Sequence, residues 1–149
     1  MVFSNLTVDE NLSMGAYLLS DKALIAKNRD YVFSIFPRMK ERLKQTAGTL
    51  SGGEQQMLAI ARILRTGARL LLLDEMSEGL APVIVQKLAE MVHTLRGKGY
   101  TIVMVEQNFR FAAPLADRFY VMEHGRIVEK FGASELDAKM PVLNELLGV

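Results

Sequence analysis

The chain has 149 residues, of which 50% are hydrophobic and 23% are charged. This size and composition predict one globular domain with a sizeable core. A net charge of +1 excludes a nucleic-acid binder that relies on bulk charge, and the low aromatic content (7%, no Trp) argues against a base-stacking surface. No apolar run approaches the roughly 18–20 residues of a membrane span, and no signal peptide is recognisable. The lack of cysteine excludes disulfides and thiolate metal sites, which fits a cytosolic protein.

The first third of the chain is predicted to be helical. Thr7 and Glu10 form a capping-box pattern at the start of the first helix. The apolar positions assigned to this helix are Leu12, Tyr17, Leu18 and Leu19. A second helix is predicted over 22–36, before Pro37, and a third over 53–65, which is rich in good helix formers.

A basic stretch overlaps the second helix and its continuation. The segment 22–44 holds seven basic residues against two acidic ones. Two interpretations stay open: a solvated helix face, or a docking surface for an acidic partner.

The remainder has an α/β pattern. The run 69–75 is a continuous apolar stretch that ends in two carboxylates, which predicts a strand buried on both faces. A helix is predicted from Pro82 until Gly97 and Gly99 end it, and 100–105 is a second buried strand. Strand, helix and strand in such close succession form a βαβ unit, so the two strands are expected to be parallel.

The C-terminal part is predicted to hold smaller elements. A short helix is expected over 111–116. Two strand-like runs, 119–122 and 126–128, flank a hairpin turn at Glu123–Gly125, and the tail 134–147 is expected to be helical.

The segment Leu50–Gln56, called the signature segment below, places Ser51, Gly52 and Gly53 at a helix start. Backbone N–H groups and a hydroxyl at the positive end of a helix form an anion site that suits phosphate oxygens. The alternative is an ordinary helix start with Ser51 as its N-cap.

Asp74 and Glu75 follow the first predicted strand directly. In open α/β sheets ligands bind at the carboxyl ends of strands. Asp74 is suited to hold a hydrated Mg²⁺, and Glu75 to polarise an attacking water. The alternative is that both carboxylates only cap the following turn.

Together these residues resemble the ABC-type ATPases. The signature segment is similar to the signature motif of that family, 70–75 to its Walker B strand, and 105–108 to its switch loop. Ser77–Pro82, called the D-loop segment below, lies at the place of the D-loop. The runs 36–42, 47–49 and 55–60 resemble more narrowly the ATP-binding subunits of high-affinity branched-chain amino-acid importers.

The resemblance implies a set of roles. Two ATPase subunits would meet head to tail, and Ser51, Gly52 and Gly53 of one, joined by Glu54, would bind the γ-phosphate of ATP held by the other. Glu75 would be the general base and Asp74 the Mg²⁺ partner through water. Gln107 lies where most of the family carries a switch His, and an amide can donate a hydrogen bond there without holding a proton.

Several positions depart from the family pattern. Ala81 replaces the Asp of many D-loops, and Met76 follows Glu75 where Pro is usual. His93 and His124 are predicted to be solvated and do not replace the switch His. None of the 11 glycines fits a G-x-x-x-x-G-K-[ST] loop, and the family's Q-loop would end just before Met1.

The predicted fold class is therefore α/β: a partial P-loop NTPase-like core with parallel strands, preceded by a helical subdomain. The expected division is a helical subdomain over 1–65, the Walker B half of the core over 66–132 and a helical tail over 133–149. Without the loop that cradles the phosphates, the chain alone is expected neither to bind ATP tightly nor to hydrolyse it. Uncovered sheet faces are expected to make it unstable or self-associating.

The leading interpretation is a truncated ATP-binding subunit of a branched-chain amino-acid importer, dependent on ATP and Mg²⁺. Its partners would be a second ATPase subunit and membrane permease subunits, at the inner face of the plasma membrane, with no nucleic acid and no direct contact with the solute. Urea or amide importers have similar subunits. The alternative is a non-catalytic module, or pseudo-ATPase, that docks on membrane subunits or completes a partner's site in trans. A chromosome-maintenance ATPase lobe is disfavoured because no heptad coiled coil is visible.

Overall fold

A computed structural model describes residues 2–147, which divide into two compact units between Val105 and Glu106. Met1 and the last two residues of the predicted tail, 148–149, lie outside the described residues. The first unit contains four helices, then a strand, a helix and a strand: α1 Val8–Gly15, α2 Lys22–Ile35, α3 Pro37–Glu41, α4 Gly52–Leu64, β1 Leu70–Asp74, α5 Pro82–Gly97 and β2 Thr101–Val105. The second unit contains α6 Phe109–Ala112, β3 Arg118–Glu123, β4 Arg126–Gly132 and α7 Leu136–Leu147.

The predicted helical segment at the start is confirmed. Thr7 caps α1 in a full capping box with Glu10. The helix ends at Gly15, however, so Tyr17 and Leu18 lie beyond it and are 79% and 92% exposed; the prediction that they line the helix is wrong. The apolar residues after Gly15 suggested a longer helix, but the helix ends before them and their side chains are exposed to solvent.

Close packing joins α1 to α4. A Cβ at Gly15 would overlap the carbonyl oxygen of Arg62 and lie 2.9 Å from the Cβ of Arg65. Arg65 itself is buried, and its guanidinium donates to the carbonyl oxygens of Ile25, at 2.6 Å, and Leu12, at 3.4 Å. One buried cation therefore links α1, α4 and α2, because its donors need acceptors once they are removed from water.

The predicted βαβ unit is confirmed. β1 and β2 are parallel, in a register that pairs Leu70 with Thr101 and Asp74 with Val105. The helix α5 between them buries Leu88, Met91, Val92 and Leu95 on one face. This arrangement brings the carboxyl ends of both strands to one edge, where Asp74 and Glu75 follow.

The prediction that both faces of the first strand are buried is wrong. Leu71 and Leu73 are 0% and 5% exposed, whereas the alternate residues Leu70 and Leu72 are 54% and 69% exposed. On the same face of β2, Val103 and Val105 are 50% and 58% exposed, so the prediction that the second strand is buried is wrong as well. Successive side chains of a strand point to opposite faces, so an apolar run alone does not show that both faces are covered.

The exposed aliphatic face of β1 and β2 leads us to predict that the chain associates with itself. The purified 149-residue chain should self-associate, because removing the four aliphatic side chains of this face from water lowers the free energy. These residues are Leu70, Leu72, Val103 and Val105. Leu72→Lys should reduce the association measurably in sedimentation velocity, since it places a charge on that face. Leu24→Lys, at a 38% exposed aliphatic position of α2, is the control. A monomer at all concentrations, with or without the substitution, would contradict the prediction.

The second unit is built on the predicted hairpin. β3 and β4 are antiparallel, and His124 and Gly125 both have positive φ, as a two-residue turn of this kind requires. Val121, Phe131 and Leu143 form its buried cluster, with Phe119 stacked on Phe131 at 5.0 Å between ring centres. The helical tail is confirmed as α7, and the short helix is present but covers 109–112.

Candidate functional site

The signature segment forms a capped helix start. Ser51 is the N-cap of α4, and its Oγ accepts a hydrogen bond from the backbone N–H of Glu54 at 3.4 Å. Glu54 Oε2 accepts hydrogen bonds in return from the backbone N–H of Ser51, at 3.0 Å, and from its hydroxyl, at 2.9 Å. The N-cap interpretation of Ser51 is thereby confirmed, and it coexists with a helix N-terminus whose other first-turn N–H groups are free of intrahelical partners.

The second oxygen of Glu54 forms an ion pair with an arginine side chain. Arg42 Nη1 lies 3.0 Å from Glu54 Oε1, and the two side chains are 39% and 29% exposed. Hydrogen bonds from Ser51 lower the pKa of the Glu54 carboxyl, and Arg42 and Arg38 lower it further. The sequence interpretation assigned no role to Arg42. Arg42 lies both in the basic stretch 22–44 and in the run 36–42 that resembles the importer subunits, but neither feature indicates its contact with Glu54.

Both signature glycines lie against the D-loop segment or the helix that follows it. A Cβ at Gly52 would lie 3.4 Å from Leu80 Cδ2. A Cβ at Gly53 would overlap Ile84 Cγ2 and lie 3.2 Å from the Cβ of Ile84. Gly53 is therefore required for packing on α5, independently of any phosphate.

The carboxylate pair lies where the sequence predicted, at the carboxyl end of β1. Asp74 is the last residue of the strand, opposite Val105, and the backbone N–H of Glu75 donates to the Val105 carbonyl at 2.9 Å. Glu75 has a φ of 46°, a left-handed conformation that costs a non-glycine residue about 1–2 kcal/mol. Strain of this kind concentrates at functional sites, so the backbone singles out Glu75 independently of its motif.

The residues after Glu75 account for two departures from the family pattern. Met76 and Ser77 are only 3% and 6% exposed. The buried side chain of Met76 therefore holds this turn in place, whereas a Pro at this position would do so by restricting φ. Ala81 is the N-cap of α5 in extended conformation, and no side chain caps that helix start.

The uncapped start of α5 gives a stability prediction. Ala81→Asp should raise the free energy of unfolding by about 1 kcal/mol, because a carboxylate oxygen can accept from the first-turn N–H groups. Ala81→Asn separates the hydrogen bond from the charge, and Ala81→Val adds size without a cap. Urea denaturation measures all three. Equal effects of Asp and Val would contradict the capping explanation.

The remaining candidates lie apart from these residues in the chain. Gln107 is exposed and belongs to the second unit, where its carbonyl accepts from the N–H of Phe109 at 2.9 Å. His93 on α5 and His124 in the hairpin turn are both exposed, as predicted. The structure thus brings Ser51–Glu54 and Asp74–Glu75 into one unit, whereas Gln107 belongs to the other.

The donor set suits Mg²⁺ only together with a nucleotide. Within residues 2–147, no group of three or more His, Asp or Glu side chains could hold a metal ion by itself. Mg²⁺ commonly keeps several waters and uses one or two carboxylates plus substrate phosphates. The exposed carboxylate of Asp74, beside Glu75, fits that requirement.

None of the helices within residues 2–147 is long and apolar enough to cross a membrane.

Comparison with known proteins gives a consistent result. Residues 1–78 match the family model described as ABC transporter, and that range contains both Ser51–Glu54 and Asp74–Glu75. The chain is 56% identical over 127 residues, 85% of its length, to the high-affinity branched-chain amino acid transport ATP-binding protein BraG of Pseudomonas aeruginosa. It is 40% identical over 136 residues, 91% of its length, to the probable branched-chain amino acid transport ATP-binding protein LivF of Archaeoglobus fulgidus. These matches cover 54% and 57% of the two relatives, so the chain spans about half their length.

Solved structures agree on the fold. A crystallised ATP-binding cassette of an ABC transporter, in its ADP conformation, superposes with a TM-score of 0.82 at 22% identity, over 97% of this chain and 62% of the other. A nucleotide-free cassette gives a TM-score of 0.79 at 22% identity, over 93% and 60%. These likenesses confirm the predicted α/β class with parallel strands.

Proposed function

The chain belongs to the ABC transporter family, and from that premise we propose that it forms the signature and Walker B part of the ATP-binding subunit of a branched-chain amino-acid importer. One observation carries the proposal: a capped Ser-Gly-Gly helix start and a strained glutamate at the end of a parallel strand occur in one unit, inside the family match. The names of the two relatives supply the solute class.

The proposed roles follow the chemistry of the side chains. Ser51, Gly52, Gly53 and Glu54, at the N-terminus of α4, face the γ-phosphate of ATP bound by a second subunit. The Glu75 carboxylate accepts a proton from a water whose oxygen attacks the γ-phosphorus, and ADP leaves. Asp74 would hold Mg²⁺ through water, and the bound ion would supply positive charge against the phosphates. Gln107 donates an amide hydrogen bond to the γ-phosphate.

The proposed partners are a second ATP-binding subunit and membrane permease subunits, at the inner face of the plasma membrane. The helical subdomain offers an exposed apolar surface for a permease at Met14, Tyr17 and Leu18. In this scheme the chain does not contact the solute.

A second candidate is a non-catalytic module that docks on a partner or completes a partner's site in trans. The exposed aliphatic face of β1 and β2 favours it, because such faces mark interaction surfaces. ATP turnover separates the two candidates.

The test uses a hybrid subunit, in which the full 149-residue chain replaces the segment of the Pseudomonas relative that it matches. In cells that lack that relative, the hybrid should restore uptake of labelled leucine and turn over ATP with the permease. Labelled urea serves as the competing solute. A hybrid that is expressed and assembles with the permease, but neither transports leucine nor turns over ATP, would contradict the proposal and favour the non-catalytic module.

A further inference from the structure

Arg42 connects the chain after α3 to the first turn of the signature helix. Its guanidinium contacts one oxygen of Glu54, while the other oxygen accepts from the backbone and hydroxyl of Ser51. The carboxylate is therefore held between the cation and the N-cap.

The charge of Glu54 lies where a phosphate would bind. A helix N-terminus attracts anions through its free N–H groups and dipole. The Glu54 carboxylate accepts from the backbone N–H and hydroxyl of Ser51 and so places a negative charge beside these free N–H groups. An uncompensated Glu54 would therefore repel an incoming phosphate. Arg42 supplies the opposite charge at 3.0 Å, and Arg38 adds to the same positive field.

We propose that Arg42 is a positioning residue for the signature segment: it neutralises Glu54 and holds the carboxylate on the Ser51 N-cap, so that the start of α4 accepts a polyphosphate. The inference rests on the proposed function and assigns a role to a residue outside the motif. It also explains how a segment that already holds a carboxylate in its first turn can accept a second anion.

The first test measures ATP turnover by the hybrid subunit. Arg42→Gln should raise KM for ATP about two- to fivefold, more at low ionic strength, and leave kcat nearly unchanged. Adding Glu54→Gln should lower KM again, because the amide keeps an acceptor for Ser51 and carries no charge. Arg42→Lys should fall between wild type and Arg42→Gln, since lysine keeps the charge and loses the planar fork.

The matched control is Arg29→Gln. Arg29 forms a similarly exposed ion pair with Asp9, at 2.8 Å, far along the chain from the signature segment. This variant removes the same charge and the same kind of contact, and it should leave KM unchanged.

The second test needs no turnover. In the full chain, Arg42→Gln should raise the pKa of the Glu54 carboxyl, followed by carbon NMR titration, whereas Arg29→Gln should not. An unchanged Glu54 pKa, or a KM defect that Glu54→Gln does not relieve, overturns the inference. An inactive wild-type hybrid contradicts the proposed function instead, and the titration still decides the role of Arg42.

Discussion

Glu75→Gln in the hybrid subunit should lower ATP turnover by about 10²–10⁴-fold, the usual contribution of a positioned general base. The amide has nearly the same size as the carboxylate but cannot accept the proton of the attacking water. ATP binding should persist, because the phosphate contacts proposed for Ser51–Gly53 do not depend on this proton.

The backbone at Glu75 makes this substitution informative. Its φ of 46° and the hydrogen bond from its N–H to Val105 fix where the side chain begins. Glutamine has the same backbone preferences as glutamate, so both features should survive. Glu75 is half-buried, so we expect Glu75→Gln to change stability by about 1 kcal/mol or less and to keep the thermal midpoint within about 4 °C of wild type.

Glu123→Gln is the matched control, because Glu123 is an exposed carboxylate in the hairpin of the second unit. It should keep wild-type turnover. If Glu75→Gln also kept it, Glu75 would not be the general base, and the alternative that the two carboxylates only cap the turn would gain support.

Much of the fold could be predicted because the responsible interactions are local. The capping box at Thr7 and the N-cap at Ser51 involve residues that are at most three apart, so both could be predicted from the sequence. The structure confirms both and adds a full capping box between Ser51 and Glu54. The two-residue turn at His124 and Gly125 is equally local. The parallel pairing of β1 and β2 followed from the length of the helical crossover between them.

What could not be predicted depends on distant parts of the chain. The exposure of Leu72 depends on which elements cover the sheet, and an apolar strand looks the same with one face covered or two. The pairing of Arg42 with Glu54 joins residues separated by a loop and a 3₁₀ turn, Ala47–Thr49. The roles of Ser51–Glu54, Asp74, Glu75 and Gln107, and the three-part domain division, remain predictions.

The contact of Gly53 with Ile84 is the clearest feature that only the structure supplies. Gly53→Ala should lower the free energy of unfolding by about 1–3 kcal/mol, because its Cβ would overlap Ile84 Cγ2. The gain of about 0.5–1 kcal/mol that Ala normally brings to a helix is too small to offset this overlap. Turnover by the hybrid should fall as well, since the overlap pushes the signature segment away from α5.

A second-site substitution tests this explanation. Ile84→Ala removes Cγ1, Cγ2 and Cδ1 and leaves only the Cβ, which lies 3.2 Å from the added methyl. The double variant Gly53→Ala/Ile84→Ala should therefore lose less stability than the sum of the single losses, by about 1 kcal/mol or more, as expected for residues in direct contact. Urea denaturation of all four proteins gives this coupling energy.

Gly97→Ala is the matched control for the glycine effect. Gly97 ends α5, and a Cβ there would meet nothing within 4 Å. The same substitution should therefore be neutral or stabilising by up to about 1 kcal/mol. Equal losses at Gly53 and Gly97, or strictly additive losses at Gly53 and Ile84, would refute the steric explanation. The double variant still lacks the glycine. Recovered turnover in this variant would therefore show that Gly53 supports the signature segment through its packing against α5.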